Sequence, residues 1–127
     1  MKTKIIRVSL REREKAAKAV ELAAKAIGEG HIIAYPTETT YGLGADATNE
    51  AAVKKVFELK ARDADRAMPI IVSDLRMAKE FGEVNAVAEH LANAFMPGPL
   101  TLIVDKKAGG ISDTVSKHGI AFRIPSN

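Results

Sequence analysis

A chain of 127 residues, 46% hydrophobic and 28% charged, has the composition of one globular domain with one modest core. It has no cysteine, which excludes disulfides and thiolate metal sites, and no apolar run approaches the roughly eighteen residues of a membrane span. Nineteen Lys and Arg against sixteen Asp and Glu leave a formal charge of +3, mildly basic and well short of a nucleic-acid-binding arm.

The start, Met1-Lys2-Thr3-Lys4-Ile5-Ile6-Arg7, lacks the apolar stretch and small-residue cleavage site of a signal peptide, so a cytoplasmic setting is expected. Ile5 to Val8 reads as a first strand. Glu12 to Glu29 reads as a long alanine-rich helix with Ala16, Val20, Ala23 and Ile27 on its inward row, and Gly28 and Gly30 mark its end. Ile32 to Tyr35 is a buried-type strand. Thr48 or Asn49 can cap a second helix running to about Lys60, with Val53, Val56 and Phe57 facing inward. Pro69 to Val72 is the next strand, and Asp74 caps a helical turn through Phe81. Asn85 opens another helix to about Phe95, stopped by Met96-Pro97-Gly98-Pro99, a rigid bend. Leu100 to Val104 and Ile120 to Ile124 complete the strands. The alternation predicts one α/β unit over residues 1–127, with no repeat and no linker. Ile120 to Ile124 reads as an interior strand three residues from Asn127, so an apparently C-terminally incomplete domain is expected. An uncovered sheet edge would then be open to self-association.

The chemistry concentrates in Ala34-Tyr35-Pro36-Thr37-Glu38-Thr39-Thr40-Tyr41-Gly42-Leu43-Gly44 and in Lys60-Ala61-Arg62. A strand ends in a turn of hydroxyls and a carboxylate, and two glycines then let backbone approach a ligand with no Cβ in the way. Two cations follow where the next helix should end. Together these are parts of a site for a phosphate-bearing ligand. Lys54, Lys55, Lys60, Arg62 and Arg66 fall within thirteen residues, and of these Lys54 and Lys55 read as a solvated helix face. Glu38 reads as a turn-stabilising carboxylate, with a catalytic base as the alternative. Tyr35 and Tyr41 suit half-buried packing or stacking on an adenine. His31, His90 and His118 lack ligand spacing and read as ordinary surface residues, so no metal site is expected.

Pro36 to Gly44, Lys60-Ala61-Arg62, Pro97-Gly98-Pro99-Leu100-Thr101 and Ala121-Phe122-Arg123-Ile124-Pro125 occur in the order and approximate spacing of the YrdC-like family, the threonylcarbamoyl-AMP synthases. The resemblance runs from about Glu29 to the last residue. It implies a twisted mixed open sheet with flanking helices around a positively lined cavity. It also implies a nucleotidyl transfer from ATP, carried with Mg2+, that joins L-threonine and bicarbonate into threonylcarbamoyl-AMP and releases pyrophosphate, with no tightly bound cofactor. A separate transferase would pass the threonylcarbamoyl group to an adenosine of certain tRNAs. By the resemblance Lys60 and Arg62 face ATP and act electrostatically on its phosphates, while Thr39 and Arg123 hold threonine. Arg66 stands where the family often has an asparagine near ATP, and its charge suits a phosphate. No step needs a protein nucleophile, because holding three polar reactants in line and neutralising charge suffices.

The chain departs from the family pattern at several positions. Asp63 replaces a proline after the Lys-x-Arg, Ala67-Met68 is an insertion, Ser73 stands where a histidine often lies, and Gly119 replaces a hydroxyl residue. The family's Ser-x-Asn motif falls beyond Asn127. Three other readings stay open: an RNA-binding module taking tRNA or double-stranded RNA on a basic concave surface, a catalytically silent paralogue, and a carbamoyl-transfer domain of hydrogenase-maturation type.

Overall fold

In the computed structural model, residues 2–9, 11–61, 63 and 66–126 are described. Helix α1 spans Arg13–Gly28. Its exit follows from Gly30, whose φ of 79° lies in the left-handed region that glycine adopts without strain. There the Gly30 N–H donates to Ile27 O at 2.9 Å and His31 N–H to Ala26 O at 2.9 Å, the paired bonds of a Schellman stop. No residue of α1 is fully buried, and Val20, expected inward, is 68% exposed. The alanine row lies only half covered, so α1 rests on the molecule rather than building its core.

Residues 5–8 do not form the expected strand, and Ile5 is 83% exposed. A strand needs a neighbour to satisfy its backbone groups, and no ladder reaches this segment. The hairpin β1 (Ile33–Pro36) and β2 (Tyr41–Gly44) pairs antiparallel, from Ile33 opposite Gly44 to Pro36 opposite Tyr41. β2 was not expected: Tyr41-Gly42-Leu43-Gly44 reads as a glycine turn, yet the turn lies earlier, at residues 37–40.

Helix α2 (Glu50–Leu59) starts at Asn49, whose Oδ1 accepts the Ala52 N–H at 3.1 Å. Ala52, Val53, Val56 and Phe57 are buried, which is the predicted inward face. Strand β3 is short, Ile70–Ile71. Helix α3 (Leu75–Phe81) is capped by Asp74 through the Met77 N–H at 2.8 Å, and α4 (Ala86–Phe95) by Asn85 through the Ala88 N–H at 2.9 Å. A cis Met96–Pro97 bond opens the bend that leads to β4 (Leu102–Asp105), and β5 (Gly119–Arg123) follows a long connection.

These strands make a mixed sheet of order β3-β5-β4, parallel between β3 and β5 and antiparallel between β4 and β5. β5 is the interior strand, as its apolar run predicts. Its Ile120 and Phe122 are wholly buried and join Val53, Phe57, Ile70, Val72, Ala78, Ile111, Val115 and Ile124 in one core. The period-two alternation of a strand turns the other β5 side chains, Ala121 and Arg123, to the opposite face. On that face Ile71 pairs with Arg123 and Ile103 with Ala121, and both isoleucines are exposed.

Candidate functional site

Arg123 ends β5 on the face away from the core, and its guanidinium is fixed from two sides. Nε donates to Gly98 O at 3.1 Å. The outer nitrogen pairs with the Glu38 carboxylate, the two side chains being 18% and 20% exposed. The bend that supplies Gly98 is docked just past the end of the same strand, because the Gly98 N–H donates to Ile124 O at 2.9 Å. Gly98 is also the residue that fits there, since a Cβ would lie 2.8 Å from Phe95 O. The Pro97-Gly98-Pro99 bend is structural, as expected, and its carbonyl aims the arginine.

The hairpin loop 37–40 brings Glu38 to this point. Thr37 holds the loop by itself. Its N–H donates to Thr40 O at 2.9 Å, its hydroxyl donates to Thr40 O at 2.6 Å, and its Oγ1 accepts the Thr40 N–H at 3.1 Å. The turn-stabilising role read for Glu38 therefore belongs to Thr37, and the Glu38 side chain is released to face Arg123. The Thr39 hydroxyl lies 3.1 Å from that of Thr37. Thr39 and Arg123, the two residues expected to hold threonine, thus flank Glu38: Thr39 as its neighbour in the loop, Arg123 as its ionic partner.

Tyr35 explains the glycines. A Cβ on Gly44 would come within 2.7 Å of the Tyr35 ring, and one on Gly42 within 3.1 Å. The space they leave is filled by the tyrosine across the hairpin, so these glycines make room for its ring. Half-buried packing is the Tyr35 outcome, and burial pushes its phenol pKa up, with the Arg123 charge opposing. Tyr41 is 75% exposed.

The expected nucleotide cations lie at the far end of α2. Lys60 is the C-cap residue and is exposed, and the chain reverses at Ala61 with φ of 47°. Lys60, Ala61, Asp63 and Arg66 line an open surface hollow of about 410 Å³. Arg66 N–H donates to Asp63 O at 3.0 Å, and Asp63 shares the hollow with Lys60 and Arg66. Arg62 lies outside the described residues. Ser73 bonds locally, its hydroxyl reaching Asp74 Oδ2 at 3.3 Å, and Gly119 opens β5 opposite Asp105. No group of three or more His, Cys, Asp and Glu residues suited to a metal ion occurs among the described residues.

Two residues escaped the sequence reading: the Gly98 carbonyl as the positioning group for Arg123, and Glu38 as its counter-ion. The second was signalled by a loop whose threonines suffice to hold it, leaving the carboxylate without a local task.

A family profile of the Sua5/YciO/YrdC type, described as telomere recombination, matches residues 25–127. A Methanocaldococcus jannaschii relative is 39% identical over 98% of this chain and 60% of its own length. A Pyrococcus abyssi threonylcarbamoyl-AMP synthase is 40% identical over 92% of this chain and 37% of its own. The chain therefore spans about a third to three-fifths of the length of these relatives. Among solved structures, P. abyssi Sua5 complexed with L-threonine superposes with a TM-score of 0.81 at 39% identity, over 85% of this chain and 32% of that one. T. kodakarensis HypF shares the fold alone, with a TM-score of 0.71 at 22% identity over 81% of this chain and 14% of that one.

Proposed function

The chain belongs to the Sua5/YciO/YrdC family, and we propose that it works as a threonylcarbamoyl-AMP synthase domain, joining L-threonine, bicarbonate and ATP with release of pyrophosphate. The observation that carries this reading is Arg123, a guanidinium clamped by Gly98 O and already engaged by a carboxylate. Such a rigid fork is a carboxylate receptor in working order. A relative solved with L-threonine, similar over most of this chain, gives that carboxylate a source.

The amino acid then docks its carboxylate on Arg123 with the Thr39 hydroxyl beside it. Its amine condenses with bicarbonate to a carbamate with loss of water. A carbamate oxygen then attacks the α-phosphorus of ATP, breaking that phosphorus's bond to the bridging oxygen and releasing pyrophosphate. Lys60, Arg66 and, in the segment outside the described residues, Arg62 supply positive charge to the triphosphate and to the departing pyrophosphate. Asp63 in the same hollow tempers that field. Mg2+ carried on the triphosphate would add to this positive charge. The product would pass to a tRNA threonylcarbamoyl transferase in the cytoplasm. Self-association would use an uncovered edge of the β3-β5-β4 sheet.

The test is mass spectrometry for threonylcarbamoyl-AMP after incubating the chain with ATP, L-threonine and bicarbonate, each omitted in turn. Product that requires all three is the expected result. Absence of product under the complete mixture, with threonine binding intact, would return the chain to the silent-paralogue reading.

A further inference from the structure

We propose that Glu38 is the residue that makes the Arg123 site specific for a zwitterion: an α-amino acid inserts into the Glu38–Arg123 pair, carboxylate to Arg123 and ammonium to Glu38. The inference rests on the amino-acid reading of the site given above and deepens it.

The argument is one of charge balance. With Nε committed to Gly98 O, Arg123 meets its charge partner in Glu38, and both side chains are about four-fifths buried. At such depth an unpaired ion is costly, because desolvation is not returned by water. A simple monocarboxylate that took Arg123 would leave Glu38 a second anion beside the first, with no cation to face. A zwitterion brings both signs. Its carboxylate replaces Glu38 at the guanidinium, its ammonium meets the displaced Glu38, and the row alternates cation, anion, cation, anion. The loop permits this exchange, because Thr37 holds its backbone without help from Glu38. The Glu38 side chain can therefore swing while the loop stays. Glu38 then has two tasks: it keeps Arg123 paired when the site is empty, and it discriminates against acids that lack an amine.

The test compares binding of L-threonine and of (R)-3-hydroxybutanoate, the same skeleton without the amine, by titration calorimetry and competition. The protein is the wild-type chain and its E38Q and E38A variants, with circular dichroism as the check of folding. Wild type is expected to prefer threonine. In E38Q the preference should shrink by at least about tenfold, the equivalent of one charged hydrogen bond. Both ligands should contribute, threonine binding more weakly and hydroxybutanoate more tightly. E38A should shift in the same sense. An unchanged ratio, or equal loss of both ligands, overturns the proposal and leaves the amino-acid site standing. Failure of the wild-type chain to bind threonine removes the amino-acid reading and the proposal with it. Unfolding of both variants would make the pair structural and overturns the proposal as well.

Discussion

A single ring sets the geometry of the hairpin that carries Glu38. Tyr35 lies over the Cα positions of Gly42 and Gly44, and the nearest ring carbon is 2.7 Å from where a Gly44 Cβ would sit. Neither glycine has a positive φ, so the constraint is space and not backbone conformation. Gly44→Ala should therefore destabilise the chain by about 1–3 kcal/mol, the usual cost of overpacking. Replacing the ring removes the collision, so Tyr35→Leu combined with Gly44→Ala should recover part of that loss, and urea melts of the four proteins read the coupling directly. Additive losses would mean that the ring is free to move aside. The same residue illustrates what a sequence leaves unsaid. Two glycines after a hydroxyl turn look alike whether they admit a ligand or a neighbouring ring, because the cross-strand partner that decides between them depends on register.

At the scale of elements, local signals were read correctly wherever capping chemistry and periodicity agreed. Asn49, Asp74 and Asn85 each accept an N–H three residues on, and α2, α3 and α4 begin where these residues place them. Asn49 also meets the end of α1, since a Cβ on Gly30 would stand 3.1 Å from its Nδ2. Asn49→Ala should cost about 0.5–2 kcal/mol, and Asn49→Ser much less, because serine still caps but no longer reaches Gly30. Thermal melts separate the two, and equal losses would place the value of Asn49 in its contact with Gly30 and not in the cap. What failed at this scale were elements whose existence depends on pairing. Residues 5–8 have strand propensity without a neighbour, and Tyr41–Gly44 has little propensity but finds β1 across a four-residue loop. In the inward row assigned to α1, Ala16, Ala23 and Ile27 are half-buried and Val20 is exposed: periodicity names a face, and tertiary placement decides how deeply that face is covered. The sequence singles out the cations and Thr39 one by one, while the Glu38–Arg123 pair joins residues 85 positions apart and becomes visible only with the fold.

The whole molecule carries +3, yet its two candidate sites hold their charges in different dielectric surroundings. Lys60 and Arg66 are exposed around an open hollow, whereas the Arg123 and Glu38 side chains are only 18% and 20% exposed. Mobile ions screen the first kind of site over a Debye length of about 10 Å at 0.1 M salt and about 3 Å at 1 M, and they reach the second kind poorly. ATP affinity should therefore fall several-fold between 0.05 M and 0.5 M KCl, while threonine affinity measured in the same buffers changes little. Lys60→Ala should lower ATP affinity at low salt by the equivalent of about 1.5–3 kcal/mol, and this difference should narrow as salt rises. Titration calorimetry of both ligands across the salt series checks the pair of expectations. A threonine affinity that declines in parallel with ATP would mean that Arg123 is open to water when it binds, which its burial against Gly98 and Glu38 argues against. Polyanion binding that weakens steeply with salt and ignores threonine would instead favour a nucleic-acid surface, and it would assign Lys60 and Arg66 to a phosphate backbone in place of a triphosphate.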